Sequence, residues 1–262
     1  MDLKPYEGQG ASTELDRPQD EHNNNHGNSN QSNNSHGQEI TSRVSPWLAR
    51  LAYPLGSRVV LPNYFGKVEI TGEENLPKQG AVVFAPTHRS RWDALIVPFT
   101  AGRRTTGRDL RFMVTADEMK GIQGWLIRRL GGFPVNTRHP STASLRHGIE
   151  LLEEEEALVI FPEGNIYRQE HIQPLKPGIA RLALHAELNQ PGLGVRIVPI
   201  SIHYSDPVPH WGTDVEVRVG KPLKVGRYCT QPLKNCAQQL RSDLENALKR
   251  LHPSEVCAQG SG

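Results

Sequence analysis

The chain has 262 residues, with 30 Lys+Arg against 28 Asp+Glu, 36% apolar residues, three cysteines and a mean hydropathy of −0.53. These values exclude a disulfide miniprotein, a collagen, a coiled coil and a polytopic membrane protein. The charge is unevenly spread, because residues 1–39 hold two basic and seven acidic residues while residues 40–262 hold 28 basic and 21 acidic.

The opening MDLKPYEGQG has no cationic and no apolar region of a secretory leader, so secretion is not expected. Residues 22–38, HNNNHGNSNQSNNSHGQ, are polar low-complexity sequence that cannot bury enough apolar surface to offset ordering entropy, and residues 1–39 are expected to form a disordered tail. His22, His26 and His36 are irregularly spaced there and give no preorganised ligand set, so no metal is expected. Cys229, Cys236 and Cys257 show no C-x-x-C spacing and read as reduced thiols of a cytoplasmic protein. With no run of 18 apolar residues, any membrane contact is expected to be peripheral.

Residues 40–262 read as one α/β domain, a mixed, mostly parallel sheet flanked by helices. Within residues 46–61, Trp47, Leu48, Leu51 and Leu55 fall in one arc at a helical period with Arg50 outside it, while Pro54 and Gly56 interrupt the pattern. An interfacial helix and a bent helix packed on the domain are both compatible with it. AVVFAP (81–86) predicts a buried strand, residues 93–100 a helix, RFMVT (111–115) a strand, residues 117–130 a helix and GGFPV (131–135) a short strand. Residues 141–155 predict an amphipathic helix, ALVIFPEG (157–164) a buried strand ending in a turn, and residues 178–187 a helix. RIVPISIHY (196–204) and VEVRVGKPL (215–223) predict late strands, and residues 231–251 a last amphipathic helix.

Thr87-His88-Arg89-Ser90-Arg91-Trp92-Asp93 leaves the first strand and opens a helix, where polar catalytic groups gather in an α/β sheet. His88 and Asp93 lie five apart, which is no helical face repeat, so they meet only if the residues between them turn. Joined in that way, the carboxylate orients the imidazole and stabilises its protonated form, giving a general base for an alcohol proton. The alternative is a loop-stabilising hydrogen bond. A second string, Phe161-Pro162-Glu163-Gly164-Asn165-Ile166-Tyr167-Arg168, places a carboxylate directly after an apolar run, which calls for a polar partner or a substrate. Gly164 permits close backbone approach, and a solvated turn is the plain alternative. Third, nine basic and three acidic residues lie between Arg103 and Arg146, a charge suited to phosphate ligands, anionic lipid or an acidic carrier protein. The segment lacks the aromatic interleaving of a nucleic-acid surface, so no nucleic acid is expected.

Together these strings resemble the glycerolipid acyltransferase family, in particular its bacterial 1-acylglycerol-3-phosphate O-acyltransferases (lysophosphatidate acyltransferases), over roughly residues 65–225. The H-x4-D block is His88 to Asp93 with Ser90 in its family place, and the second block looks like Gly131 to Arg138. The F-P-E-G block is Phe161 to Gly164, followed by Pro174-Leu175-Lys176-Pro177-Gly178, and the fourth is Val198-Pro199-Ile200. The resemblance implies a glycerolphosphate acyltransferase-like fold in which His88, aligned by Asp93, activates the hydroxyl of a lysophosphatidate. That hydroxyl attacks an acyl thioester of coenzyme A (acyl-CoA) or acyl carrier protein (acyl-ACP). Ser90, Arg138, Glu163, Gly164, Asn165 and Arg168 are implied substrate-binding residues, with backbone N–H groups at a turn or helix start expected to meet the oxyanion. The resemblance implies no cofactor and no metal, and a protein held peripherally on the cytoplasmic face of a membrane. The sequence departs from the family where Asn165-Ile166 replaces the usual Thr-Arg, and where Arg138 falls one place beyond the usual arginine. Another lysolipid or glycerol-3-phosphate therefore remains open as acceptor, and a thioesterase or a non-catalytic lipid-binding protein remains open as a rival.

Overall fold

Buried apolar runs joined by helix-forming sequence pair most readily in parallel, each connection crossing a face of the sheet. The computed structural model, which describes residues 42–136, 142–169, 171–229 and 232–252, has that arrangement. A helical segment comes first: α1 (Pro46–Leu55), a wider π-helical turn (Gly56–Val60) and α2 (Leu61–Tyr64). There follow β1 (Val68–Thr71), β2 (Val82–Pro86), α3 (Asp93–Ala101), β3 (Leu110–Thr115), α4 (Gly121–Arg129), β4 (Gly132–Val135) and α5 (Thr142–Glu153). The chain continues through β5 (Ala157–Val159), α6 (Gly178–Asn189), β6 (Arg196–Tyr204), β7 (Val215–Val219), β8 (Leu223–Lys224) and α7 (Leu233–Leu251).

The sheet runs β1-β7-β6-β2-β5-β3-β4, with β8 paired to β6. β6, β2, β5, β3 and β4 are mutually parallel, whereas β7 and β8 run antiparallel to β6 and β1 follows β7 in parallel. β2 is buried at every position because both sheet faces are covered. Val83 and Ala85 pack with α5, α6 and α7 residues such as Leu152, Leu182 and Leu244, while Val82 and Phe84 pack on the other face with Leu61, Phe65, Ile96 and Val97.

The strands and helices expected from residue 81 onward are present, with differences at their ends. The strand expected over 157–164 is regular only to Val159, although the Ile160 N–H still reaches the Phe84 carbonyl. The run 215–223 divides into β7 and β8, and the short strand β1 goes beyond the sequence expectation. The break expected at Pro54 and Gly56 is a change of pitch instead. The Leu61 N–H reaches back five residues to the Gly56 carbonyl, and this wider turn carries the helix past the proline. Trp47, Leu51 and Leu55 are exposed on α1, whereas Leu48, expected in the same arc, is buried. Among the described residues no helix is long and apolar enough to cross a membrane, and no group of three His, Cys, Asp or Glu side chains is placed to hold a metal ion. The tail over residues 1–39 lies outside the described residues.

Candidate active site

Parallel neighbours deliver the ends of β2 and β5 to one edge of the sheet. Phe84 is in register with Val159, so His88 and Glu163, each four residues further on, leave the sheet side by side. The intervening loop makes the turn that the His88–Asp93 pairing requires, closed by an Asp93 N–H to Ser90 carbonyl bond of 3.1 Å. His88 Nδ1 lies 2.9 Å from Asp93 Oδ2. A carboxylate only accepts, so Nδ1 carries the proton and Nε2 is left with its lone pair. Asp93 is fully buried at the first turn of α3, where the helix dipole favours negative charge. Its Oδ2 also accepts the backbone N–H groups of Arg89 (2.7 Å) and Ser90 (2.9 Å), and Oδ1 accepts the Tyr204 hydroxyl at 2.7 Å. Burial, with the Asp93 charge beside it, raises the Tyr204 phenol far above its ordinary range, so that it stays a donor. The imidazole, 18% exposed, stacks on the Phe161 ring at 4.0 Å between centroids.

The second string is fastened to the first. The Tyr167 N–H donates to the His88 carbonyl at 2.8 Å, and Arg89 Nη1 donates to the Tyr167 carbonyl at 3.1 Å. The same Nη1 meets Glu163 Oε2 at 2.9 Å, an ion pair buried on both sides. Burial pushes the Glu163 carboxyl up, and the Arg89 guanidinium and the Gln173 backbone N–H oppose that rise.

A cavity of about 1600 Å³ opens beside His88. It exceeds the roughly 300–1,000 Å³ usual for a single small ligand, and Phe112, Leu130, Leu145, Ile160, Phe161 and Leu182 give it an apolar lining. Among the residues expected at substrate, His88, Gly164 and Asn165 line it. Three others do not. Glu163 turns inward to Arg89, because a buried carboxylate needs its counter-ion. Ser90 is buried, with Oγ accepting the Trp92 N–H at 3.3 Å, and Arg168 is exposed away from the cavity. Arg138 lies outside the described residues. The helix-start donors expected for an oxyanion are also committed, since the N–H groups of Arg89, Ser90 and Asp93 are bonded within the loop.

The basic run between Arg103 and Arg146 is not one free patch. Arg103 pairs with Asp109, Arg111 with Glu156 and Lys120 with Asp117, while Arg108 caps the Gly80 and Glu155 carbonyls. Arg104 lines the cavity with its guanidinium 4.9 Å from the Phe99 ring centroid. Sequence reasoning missed three residues of the site: Arg89, Tyr204 and Lys176. The methylenes of Lys176 lie across Gly164, where a Cβ would stand 3.0 Å from Lys176 Cγ, and Lys176 lines the cavity with no carboxylate partner among the described residues. Gly164, at φ 75°, is favoured by its backbone conformation, and a side chain there would also press on the lysine above it.

The family model described as "Acyltransferase" matches residues 67–203, which span both strings and the strands that carry them. The 1-acyl-sn-glycerol-3-phosphate acyltransferase of Streptococcus pneumoniae R6 is 27% identical over 168 residues, covering 61% of this chain and 57% of that protein. The protein of the same name from Bacillus subtilis 168 is 32% identical over 120 residues, covering 45% of this chain and 57% of the relative. The chain thus spans a little over half the length of these two relatives. Among solved structures, the 1-acyl-sn-glycerophosphate (LPA) acyltransferase PlsC of Thermotoga maritima superposes with a TM-score of 0.59 at 22% identity, covering 77% of this chain and 76% of that one. That likeness shows a shared fold.

Proposed function

This chain belongs to the acyltransferase family, and from that premise we propose that it transfers a fatty acyl group from a thioester to the free hydroxyl of 1-acylglycerol-3-phosphate, giving phosphatidate. The observation that carries the reading is the His88–Asp93 pair at the mouth of a large apolar cavity. His88 Nε2 takes the hydroxyl proton as the alcohol oxygen attacks the thioester carbonyl carbon, and Asp93 balances the charge on the ring. The tetrahedral intermediate collapses with cleavage of the C–S bond, and the imidazolium returns its proton to the departing thiolate. No side-chain nucleophile is needed, in keeping with the absence of a G-x-S-x-G motif from the sequence. The apolar lining supports a fatty-chain substrate, with either coenzyme A or acyl carrier protein as the thiol.

Lys176, with Asn165 beside it and Arg138 from the second block, orients the acceptor's phosphate. Arg168, which the resemblance implied at substrate, is exposed away from the cavity, and Lys176 lines it instead. The Arg89–Glu163 pair acts one step back, locking the loops that carry His88 and Gly164. The acceptor is an amphiphile, so the protein works peripherally on a membrane, with the exposed Trp47, Leu51 and Leu55 of α1 as contact residues.

The test is purified protein with one labelled thioester and a panel of lysolipids and glycerol-3-phosphate, scored by product. Acylated lipid formed from lysophosphatidate, and lost in His88→Ala by about 10²–10⁴-fold, is the expected result. Free fatty acid released at the same rate with or without acceptor would make the protein a thioesterase.

A further inference from the structure

Two helices that border the cavity each leave an apolar face in solvent, and the backbone ties them together. On α1 the exposed row is Trp47 (60%), Leu51 and Leu55, continued by Val59 in the π turn. On α4 it is Ile122 (88%), Trp125 and Leu126, which share one face at i, i+3 and i+4 spacing. Leu126 belongs both to this face and to the cavity wall. Just before α1, the Ser45 N–H donates to the Arg129 carbonyl at the end of α4 at 2.8 Å, and Val44 bridges Leu130 in antiparallel fashion. Gly131 admits that contact, since a Cβ there would stand 3.0 Å from Val44 Cγ2. Single exposed apolar residues are ordinary, but tryptophan-bearing rows on two joined helices around one apolar cavity are not.

The charges select the occupant. Residues 43–64 contain Arg43, Arg50 and Arg58, and α4 ends in Arg128 and Arg129, yet neither segment contains an Asp or Glu. Arg128 and Arg129 are exposed without a carboxylate partner among the described residues, and the Arg129 guanidinium sits 5.4 Å from the Trp125 ring centroid. Cation and indole at the rim of an apolar row form an interfacial pairing, with the ring at headgroup depth and the guanidinium drawn to the surface charge of anionic lipid.

We propose that α4 is a second membrane-contact element, seating Ile122, Trp125 and Leu126 in the interfacial layer of an anionic bilayer beside α1, so that the cavity bordered by both helices opens onto lipid. The purpose of this contact rests on the proposed function, because an amphiphilic acceptor would then reach His88 from the leaflet. The contact itself is measured without turnover. Flotation of the full chain with phosphatidylcholine vesicles, with and without phosphatidylglycerol, is the experiment.

Ile122→Glu/Trp125→Glu is expected to lower binding to the anionic vesicles by at least about tenfold, with an unchanged melting temperature because both side chains are exposed. Arg128→Gln/Arg129→Gln is expected to lose about fivefold per arginine on anionic vesicles and nothing on pure phosphatidylcholine. Transfer to acceptor dispersed in detergent micelles should be unchanged in both variants. Undiminished flotation of the Ile122/Trp125 variant overturns the proposal. So does lipid-free self-association that the same substitutions abolish, which would assign the face to a second copy of the chain. If the unsubstituted protein floats but transfers no acyl group in micelles, the functional reading fails while the docking surface stands.

Discussion

Replacing Asp93 by Asn removes one charge from a site whose shape depends on four hydrogen bonds to that carboxylate. Oδ2 accepts from His88 Nδ1, the Arg89 N–H and the Ser90 N–H, while Oδ1 accepts from Tyr204. The two backbone donors dictate how the new amide turns. Its oxygen must take the Oδ2 position, because an NH2 group there would face two N–H groups that cannot accept. The imidazole then keeps its donor at Nδ1 and its lone pair at Nε2, and the amide nitrogen meets the Tyr204 oxygen. What disappears is the charge opposite the imidazolium formed during transfer. Two unit charges about 4 Å apart at an effective dielectric of 20 interact by about 4 kcal/mol, and a charge-assisted hydrogen bond exceeds a neutral one by about 1–2 kcal/mol. A loss of about 2–4 kcal/mol, roughly 30- to 1,000-fold in kcat/KM, is therefore expected from steady-state kinetics with saturating donor. Thermal unfolding should fall modestly in Asp93→Asn, because the amide nitrogen cannot accept the Tyr204 proton and leaves that one buried hydroxyl without its acceptor. It should fall clearly in Asp93→Ala, which leaves two backbone N–H groups and the Tyr204 hydroxyl buried without acceptors at about 1–3 kcal/mol each. Activity of Asp93→Asn within about threefold of the unsubstituted protein would refute the charge-balancing role, and a loss near 10⁴-fold would show that the amide turns the other way and takes the base with it.

The Glu163–Arg89 pair predicts a stability effect: Glu163→Gln should lower the unfolding free energy by on the order of 3 kcal/mol, because it leaves the Arg89 charge buried without its counter-ion. An acceptor KM that rises with no change in denaturation midpoint would instead place Glu163 directly on the acceptor. Lys176→Ala should raise the KM for lysophosphatidate by about tenfold, a charge-assisted contact of about 1.5 kcal/mol, and leave the donor KM unchanged. Arg168→Ala should change neither, and the reverse pattern would assign the phosphate contact to Arg168. His252 is buried at the end of α7 and is pushed down from 6.5 to about 4, chiefly by burial and then by the neighbouring Arg89 charge, with further contributions from His203, Arg218 and His171. Between those two values the unfolded chain takes up a proton that the native imidazole does not, so stability falls as pH falls through the window, by at most about 3 kcal/mol. His252→Gln should flatten that slope in chemical denaturation between pH 7 and pH 4, and an unchanged slope would remove His252 as its source.

The parallel sheet was legible because its strands are buried on both faces and so read as unbroken apolar runs, as AVVFAP does for β2. What the runs do not carry is their order. Nothing in residues 81–86 or 157–164 states that they are neighbours in a fixed register, yet that register places His88 beside Glu163. β1 was missed because its four residues alternate half-buried with exposed, giving too short a pattern to separate from loop. The pitch change at residues 56–60 was missed because a proline and a glycine signal a break, and only the backbone shows that a wider turn accommodates both.

Within the site, the legible part is the part coded locally. The four residues between His88 and Asp93 can close through one turn, so the sequence alone poses the question that the geometry answers. Tyr204 ends a strand 111 residues from Asp93, and its hydroxyl looks like any strand-end tyrosine until β6 is laid beside β2. The direction of a side chain is harder still. Glu163, Ser90 and Arg168 stand in a substrate-binding pattern, but each faces what its own surroundings dictate. A buried carboxylate turns to a guanidinium, a serine two residues before Trp92 accepts its backbone N–H, and an arginine beyond the turn goes to solvent. The same reasoning shrinks the basic run, because net charge counts arginines without counting the carboxylates that folding brings to them. Asp109 and Glu156 neutralise Arg103 and Arg111 within the fold, and the cations left facing ligand or lipid are ones with no carboxylate partner among the described residues. On that criterion Lys176 on the cavity and Arg128 and Arg129 on α4 are the positions where removing a charge should alter binding without unfolding the protein.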